Sequence, residues 1–273
     1  MSRTLPFVKS EGAGNDFVII DNRRGTAGRS SSTLSALARR ICHRQQGIGA
    51  DGLLLVERAR GADFRMRIFN PDGSEPTMCV NGARCMALYA RRTGLAGSAM
   101  RFITGAGLIR GWVTGGRVRL AVSRPKGWRV VSGLPLNGRA SKGYFINTGV
   151  PHVVFFPTAL ERVDVARWGR LIRRHRTFAP RGANVDFVSV MDPHHLRLRT
   201  YERGVEAETL ACGTGAVASA IAASRVRGAA SPVAVRTTGG EVLTVDWTTD
   251  GDEIADVHLT GPARLVYEGR IRL

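Results

Sequence analysis

Two cysteines, Cys79 and Cys212, occupy the same position of a short repeated pattern, Cys-x-x-Gly-Ala. Each precedes an apolar segment that predicts a helix, so each thiol is expected beside the unpaired N–H groups and positive dipole end of a helix amino terminus. That position lowers a thiol pKa from ~8.5 toward neutrality and also binds a carboxylate. A thiolate on one face of an α-carbon and a thiol on the other could remove and return its proton, as a cofactor-free racemase requires.

The two cysteine patterns belong to a longer internal repeat. Cys79 and Cys212 are 133 residues apart, and the same interval separates the tripeptide Gly-Ala-Asp at 49–51 from Gly-Ala-Asn at 182–184. Two further pairs of segments agree to within a few residues: 67–70 with 199–202, and 14–18 with 149–153. The sequence therefore predicts two copies of one domain, with one thiol from each copy facing an interdomain cleft that forms the active site.

Short β-branched and aromatic runs bounded by Gly, Pro, Asn or Asp predict strands in both copies. They cover residues 18–20, 52–56, 66–69, 118–122, 153–156, 187–190, 196–201, 233–237 and 242–247. Helical spacing predicts helices over residues 32–43 and 160–175. Segments 81–93 and 214–227 are apolar on nearly every face, which indicates a central helix in each copy. The expected fold is α+β: two pseudo-symmetric domains, each a β-sheet wrapped around a central apolar helix.

The other two cysteines, Cys42 and Cys85, suggest no chemistry of their own. The chain contains no Cys-x-x-Cys pair and no His at the spacing of a zinc finger, so we expect no metal site. Cys42 and Cys85 are expected to be small buried apolar side chains.

The charge raises a different possibility. The 273-residue, 29.5 kDa chain has a formal charge of +18 and a pI near 11.3, and such a balance can indicate a nucleic-acid partner. Only three of the 40 basic residues are lysines, and the arginines are scattered along the chain as singles and pairs. The sequence therefore favours a coding bias, with the charge solvated over the surface, over a nucleic-acid partner.

Composition also bears on location. The longest uncharged stretch, residues 209–224, is short and weakly apolar for a bilayer span. The amino-terminal region is interrupted by Lys9, Glu11 and Asp16 before an apolar signal-peptide core could form. A cytoplasmic location without a membrane association is expected.

Several blocks of sequence resemble the signature motifs of the diaminopimelate epimerase family. They are GAGNDF at 12–17, FNPDGSE at 69–75, MCVNGARC at 78–85, NTGVPH at 147–152, YERG at 201–204 and ACGTG at 211–215. The resemblance implies interconversion of LL- and meso-diaminopimelate, without pyridoxal phosphate or metal, in lysine and peptidoglycan synthesis in the bacterial cytoplasm. It also implies a homodimer.

The family's site residues transfer to matching positions of this chain. The resemblance makes Cys79 and Cys212 the acid/base pair, and it assigns the substrate carboxylate to the backbone N–H groups of Val80, Asn81, Gly213 and Thr214. The residues it implies at the second amino-acid head are Asn15, Asn70, Asn184, Glu202 and Arg203. Arg can bind that head's carboxylate bidentately, while Glu and the Asn amides accept from its ammonium group.

The resemblance extends to three structural features. His152 and Glu202 match positions that influence the pKa values of the cysteines, and Tyr267 matches a tyrosine of the family's dimer interface. The last strand, residues 264–271, would return to the first domain. The domains expected are therefore residues 1–123 together with 263–273, and residues 124–262, with the linker near residues 123–127.

The sequence departs from the family pattern at three positions. Val80 follows the first cysteine where Gly is usual, Val150 replaces a substrate-binding Asn, and Gly52 replaces a Gln of some members. Racemases of proline, hydroxyproline or histidine share the two-thiol plan, so one alternative is an epimerase of another amino acid. A second alternative is a basic nucleic-acid-binding protein on the same fold, which Val80 and the charge of +18 would favour.

Overall fold

The computed structural model describes residues 4–251 and 253–272. The chain divides into two compact units: unit 1 runs to Leu120 and includes the segment from Gly261 onward, and unit 2 spans Ala121–Thr260. Both units combine β-strands with α-helices, so the α+β class expected from the sequence is confirmed. The domain limits drawn from the sequence stay a prediction.

Four α-helices and seventeen strands make up the described part of the chain. The helices are α1 (Ser31–Cys42), α2 (Val80–Arg92), α3 (Val165–Arg173) and α4 (Gly213–Arg227). The strands are β1 (Thr4–Gly12), β2 (Asn15–Asp21), β3 (Gly52–Glu57), β4 (Phe64–Phe69), β5 (Ala99–Thr104), β6 (Gly107–Thr114), β7 (Arg117–Ala121), β8 (Lys126–Leu136), β9 (Arg139–Asn147), β10 (Pro151–Phe155), β11 (Asn184–Asp192), β12 (His195–Glu202), β13 (Ala207–Thr209), β14 (Val233–Arg236), β15 (Val242–Asp250), β16 (Glu253–Pro262) and β17 (Arg264–Arg272).

In unit 1 the strands pair in the order β17-β1-β2-β3-β4-β5-β6-β7. Helix α2 packs against β1, β2, β3, β4, β6 and β17, and its residues from Val80 to Ala90 are all buried. A helix that is buried all round needs a sheet that curves around it. The last strand, β17, pairs with β1, as the resemblance implied.

Helix α1 covers the other face of the unit 1 sheet. Its amino terminus is capped by Ser30, whose hydroxyl accepts from the Thr33 N–H at 3.2 Å. Its apolar side, which includes Leu34, Leu37 and Ile41, is buried in a cluster with Leu53 of β3. This two-layer packing fixes β2 and β3, of which β2 begins at Asn15 and β3 directly after Asp51.

In unit 2 the strands pair in the order β8-β9-β10-β11-β12-β14-β15-β16, and the short β13 pairs with the end of β12. Helix α4 packs against β9, β10, β11, β12, β14 and β15. Helix α3 lies on the other face, where Trp168 and Ile172 share a core with Phe155 and Phe187.

The two units repeat one topology. Successive pairs from β2 to β7 are parallel, antiparallel, parallel, antiparallel and antiparallel, and the pairs from β10 through β12 and β14 to β16 follow the same sequence. Each ladder is extended by two more antiparallel strands, β1 and β17 in unit 1 and β9 and β8 in unit 2. The internal duplication predicted from the sequence is confirmed.

The helices predicted after the two cysteines and over residues 32–43 are present within one or two residues. The single helix predicted over residues 160–175 is wrong. A 3-10 turn at Leu160–Arg162 is followed by an extended Val163, and α3 begins only after Asp164, whose carboxylate accepts from the Arg167 N–H at 3.0 Å. The capping carboxylate divides the periodic segment.

Seven strands have no counterpart in the sequence prediction: β1, β5, β6, β8, β9, β13 and β16. Most of them are interrupted by Gly, Pro, Arg or Lys, which obscures the alternation of a strand. The linker predicted near residues 123–127 is partly strand, because β8 begins at Lys126. Among residues 4–251 and 253–272, no helix is both long and apolar enough for a membrane span.

Candidate active site

Cys79 lies at the amino-terminal cap of α2. Its backbone is extended, with φ −137° and ψ 117°, and its Sγ accepts from the Gly82 N–H at 3.4 Å. Val80 is the first residue of the helix and Asn81 the second, so both backbone N–H groups belong to the first turn of α2. The thiol and these N–H groups together form the end of the helix dipole where an anion is favoured.

Cys212 caps α4 in the same way. Its φ and ψ are −124° and 110°, and its Sγ accepts from the Gly215 N–H at 3.4 Å. Gly213 and Thr214 supply the first-turn N–H groups. The residue is only 5% exposed. Burial, followed by the nearby carboxylates of Glu202 and Asp186, raises the pKa of the Cys212 thiol well above its usual range, so the lowered pKa expected from the helix amino terminus is wrong for this thiol.

A chain of amide hydrogen bonds supports the first turn of α2. The Asn81 amide donates to Oδ1 of Asn15 at 2.5 Å, and Nδ2 of Asn15 donates to Asp51 at 3.1 Å. Oδ1 of Asn81 accepts from the Arg84 guanidinium at 2.9 Å, and Arg84 is fully buried. The structure therefore brings Asn15 and Asn81, both predicted from the sequence, into one network with Cys79's helix.

A group of charges holds Asp51 in place. Arg44 donates to the carboxylates of Asp16 and Asp51, and Lys9 pairs with Asp16 at 2.6 Å and also donates to the Gly49 carbonyl. Although burial acts to raise the pKa of Asp16, the hydrogen bonds from Arg44 and Lys9 outweigh it and lower that pKa to about 2. Asp16 is thus a carboxylate throughout the range in which the protein would work.

A buried polar cluster lies beneath the first turn of α4. Nδ1 of His152 is 2.7 Å from Oδ2 of Asp186, and Nε2 of His152 is 3.0 Å from Oγ1 of Thr214. The other Asp186 oxygen accepts from the Thr200 hydroxyl at 2.8 Å. His152 and Asp186 are both fully buried. Oγ1 of Thr214 is in turn 3.4 Å from Sγ of Cys212.

Asn184, Glu202 and Arg203 lie beside this cluster. Oδ1 of Asn184 accepts from the Arg203 backbone N–H at 2.7 Å, and its Nδ2 is 3.3 Å from Nε2 of His152. Burial raises the pKa of Glu202, although a hydrogen bond from Thr209 acts in the opposite direction. Unit 2 therefore brings together six of the residues predicted from the sequence around Cys212.

The Arg203 guanidinium lies in a positive environment. Burial, followed by the charges of Arg173 and Arg181, lowers the pKa of Arg203 from its ordinary value. Arg173 is itself bound to Glu206 at 2.8 Å. A carboxylate ligand beside Arg203 would relieve this repulsion, so the site favours an anion.

Two predicted residues lie apart from these networks. Asn70 is in the turn after β4, where its amide donates to the Ser74 hydroxyl at 2.9 Å. Tyr267 is on β17, 48% exposed, with its ring edge-on to Phe7 at 6.0 Å. Asn70 therefore bonds within its own turn, and the place of Tyr267 in a dimer interface stays a prediction.

The remaining cysteines are buried as expected. Burial raises the pKa of Cys42 and of Cys85 to about 12 in each case. Both are therefore neutral thiols at ordinary pH. Gly52, one of the departures from the family pattern, faces Phe17 across β2 and β3, and a Cβ there would lie 3.1 Å from the Phe69 carbonyl oxygen.

Asp51, Asp186 and Thr200 are the contributors that sequence reasoning missed. A signal was present for Asp186, since it is a charged residue in the middle of the otherwise apolar run of β11. A buried carboxylate in such a run needs partners, which here are His152 and Thr200.

Solved structures share the fold of this chain. A PhzF-family phenazine biosynthesis protein from Bacillus anthracis superposes with a TM-score of 0.74 at 16% identity, covering 99% of this chain and 100% of that one. A probable proline racemase from Agrobacterium radiobacter superposes with a TM-score of 0.69 at 17% identity, covering 98% and 93%. The architecture is therefore the PhzF and proline racemase fold.

Sequence comparison is more specific than the fold. The family profile described as diaminopimelate epimerase matches residues 7–116 and 144–266. The diaminopimelate epimerase of Aquifex aeolicus is 41% identical over 277 residues, covering 98% of both chains, and that of Chlorobaculum tepidum is 42% identical over 266 residues, covering 96% of this chain and 99% of its own. The chain belongs to the diaminopimelate epimerase family, and it is an isomerase.

Proposed function

We propose that this protein interconverts LL- and meso-diaminopimelate by moving the α-proton of one amino-acid head between the thiols of Cys79 and Cys212. The observation that carries the proposal is the equivalent placement of the two thiols, each at the amino-terminal cap of a buried central helix. Relatives at about 40% identity over nearly their full length are named for this substrate.

The proton transfers need only the two thiols. One cysteine acts as a thiolate, takes the α-proton and becomes a thiol, and the electron pair of the broken C–H bond stays on the α-carbon. The second cysteine donates its proton to the opposite face of that carbon and becomes a thiolate. The reverse reaction exchanges the roles, so each turnover leaves the two cysteines with their protonation states interchanged.

The helix termini stabilise the charge of the reacting carboxylate. Val80 and Asn81 open α2, and Gly213 and Thr214 open α4, so their backbone N–H groups lie at the positive end of each helix dipole. We infer that they donate to the substrate carboxylate. Charge that delocalises into this carboxylate as the α-proton leaves is then met by pre-oriented donors.

The second head of the substrate would bind near Arg203. Its guanidinium is in a positive environment that favours an anion, and Glu202 adjoins it as an acceptor for an ammonium group. Asn15, Asn70 and Asn184 are proposed to contribute further amide contacts. Binding of this head distinguishes diaminopimelate from amino acids that lack a second carboxylate.

Three wider properties belong to the same proposal. The product would serve lysine and peptidoglycan synthesis, and reduced catalytic thiols suit a cytoplasmic location. We further propose a homodimer in which β17 contributes Tyr267, since Tyr267 and its neighbour Val266 are both about half exposed on that strand.

The proposal is tested by α-proton exchange in deuterium oxide under reducing conditions. The substrates are LL-diaminopimelate and a panel containing proline, hydroxyproline, histidine and lysine. Deuterium incorporation with epimerisation of diaminopimelate alone is expected. Activity only on another amino acid would keep the reaction type and overturn the substrate, and no exchange with any of them would overturn both.

A further inference from the structure

The two repeats differ directly beneath their central helices. A Cβ added to Gly82 of α2 would lie 3.1 Å from the Leu54 side chain, whereas one added to the equivalent Gly215 of α4 would lie 2.7 Å from Oδ1 of Asp186 and 3.2 Å from Oγ1 of Thr200. The same location is apolar in unit 1 and carries a buried carboxylate in unit 2. Burying the Asp186 carboxylate therefore costs free energy that burying the apolar side chain of Leu54 does not.

Hydrogen-bond geometry determines where the protons of the unit 2 cluster lie. A backbone N–H can only donate, so the Asn184 atom that meets the Arg203 N–H is an oxygen, and the atom facing His152 is its NH₂ nitrogen. Nε2 of His152 therefore accepts. The Asp186 carboxylate also only accepts, so Nδ1 of His152 carries the hydrogen. Nε2 is thus the accepting nitrogen, and it faces the Thr214 hydroxyl.

The Thr214 hydroxyl connects this nitrogen to the sulfur of Cys212. Its hydrogen is donated to Nε2 of His152 across 3.0 Å, which leaves its oxygen lone pairs for the S–H of Cys212 at 3.4 Å. A continuous path runs from the thiol through the hydroxyl and the imidazole to the Asp186 carboxylate. A second hydroxyl, that of Thr148, fixes this turn by donating to the Thr214 carbonyl at 3.0 Å.

We propose that Asp186 is a positioning residue for Cys212, which holds His152 as the acceptor of the thiol proton through the Thr214 hydroxyl. In the step, the Cys212 proton moves to Oγ1 of Thr214 while the Thr214 hydroxyl proton moves to Nε2 of His152. The products are a Cys212 thiolate and a His152 imidazolium paired with Asp186. The inference rests on the proposed function, because it supplies a base to one of the two thiols.

The relay explains how the Cys212 thiol can lose its proton in an environment that opposes a thiolate. Burial and the charges of Glu202 on β12 and Asp186 on β11 oppose a thiolate there. His152 on β10 contacts Asp186, and the proton that it receives from Cys212 in the relay offsets these negative charges. The relay also makes the two thiols unequal, since the corresponding location under α2 holds Leu54.

The test measures thiol reactivity without substrate. Wild type, Asp186→Asn, Thr214→Val and Thr214→Ser are treated with iodoacetamide from about pH 6 to pH 10, and labelling of Cys212 and Cys79 is followed separately by peptide mass spectrometry. Because only the thiolate reacts, the rate reports the ionised fraction. Asp51→Asn, which removes a carboxylate from the Asn15 network, is the matched control.

Asp186→Asn and Thr214→Val are expected to slow labelling of Cys212 near neutral pH by about tenfold, equivalent to a rise of about one unit in its pKa. Labelling of Cys212 in Thr214→Ser, which keeps the hydroxyl, and in Asp51→Asn should stay within about twofold of the wild-type rate. Labelling of Cys79 in Asp186→Asn and Thr214→Val should also stay within about twofold. If Asp186→Asn does not fold, the comparison of Thr214→Val with Thr214→Ser tests the relay.

Labelling of Cys212 that is unchanged in folded Asp186→Asn and Thr214→Val would overturn the relay, as would equal slowing of Cys79 or of the Thr214→Ser variant. The labelling rates do not depend on turnover of a substrate. A protein that passed this test but failed to exchange diaminopimelate would retain the relay and lose the proposed function.

Discussion

The sulfurs of Cys79 and Cys212 each accept a hydrogen bond from the backbone N–H three residues later, and the sulfur–nitrogen distance is 3.4 Å in both. Each thiol therefore serves as the amino-terminal cap of its helix as well as the proposed acid or base. These two roles can be separated, because a serine hydroxyl caps a helix well but is far less acidic than a thiol.

Alkaline pH is expected to destabilise the fold through Cys42 and Cys85. Burial raises the pKa of each to about 12, whereas an unfolded thiol ionises near its ordinary value of about 9. Their contribution to stability is full below pH 9 and is lost as the pH rises toward 12, because the unfolded state then binds fewer protons. Urea midpoints measured between about pH 8 and pH 11 should fall by an amount worth a few kcal/mol.

The matched variant for this prediction is Cys85→Ala. It lowers stability at neutral pH by leaving a small cavity, but it removes the titration of Cys85, so its urea midpoint should decline less steeply above pH 9 than that of wild type. Equal slopes in the two proteins would show that Cys85 is not protected in the native state.

Alanine at Gly215 is expected to destabilise the protein, although alanine normally favours a helix over glycine by about 1 kcal/mol. The added Cβ would lie 2.7 Å from Oδ1 of Asp186, in a carboxylate whose Oδ1 is held by Thr200 and whose Oδ2 is held by His152. We expect a net loss of about 1 to 3 kcal/mol in denaturant unfolding. Gly82→Ala is the control, since its Cβ meets the movable Leu54 side chain at 3.1 Å, and it should cost clearly less.

Replacing Arg203 with Gln should weaken binding of diaminopimelate more than it slows chemistry. The guanidinium is proposed to hold the carboxylate of the unreactive head, so its loss removes a charge-assisted bond worth about 2 kcal/mol, or roughly a 30-fold rise in KM. Steady-state kinetics separates KM from kcat. Arg197→Gln, which removes an exposed arginine paired with Glu161, should leave both constants near wild type, and an unchanged KM for Arg203→Gln would place the second head elsewhere.

Tyr267→Glu is expected to weaken the proposed homodimer. The side chain is 48% exposed on β17, and a carboxylate buried in an interface without a partner costs several kcal/mol. Light scattering after gel filtration should show a dimer for wild type and a concentration-dependent shift to monomer for the variant. A wild-type monomer, or a variant dimer of unchanged affinity, would contradict the assignment of this strand to the interface.

The thiols could be placed from the sequence because a repeat identifies equivalent positions and an apolar segment after each cysteine indicates a helix that starts there. Both helices begin at the residue after the cysteine. The break between Leu160 and α3 could not be placed in the same way, since hydrophobic spacing continues through it and only the cap at Asp164 ends the preceding turn.

The polar cluster of unit 2 depends on strand register rather than on local sequence. His152 contacts Asp186 and Thr214, which are 34 and 62 residues away in the chain. Parallel pairing of β10 with β11 sets Val154 opposite Asp186 and His152 opposite Asn184. A shift of one residue would turn these side chains to the other face of the sheet, so the sequence could indicate an unusual buried carboxylate in β11 but not its partners.

The most direct test of the two-thiol account is solvent exchange and epimerisation of LL-diaminopimelate in deuterium oxide by wild type, Cys79→Ser and Cys212→Ser, with unfolding temperatures measured in parallel. Because serine preserves the helix cap, both variants should unfold near the wild-type temperature. Epimerisation should fall about 10³-fold in each. A folded variant that still epimerises diaminopimelate at a rate close to wild type would show that one of the two thiols is not required, and would contradict the account.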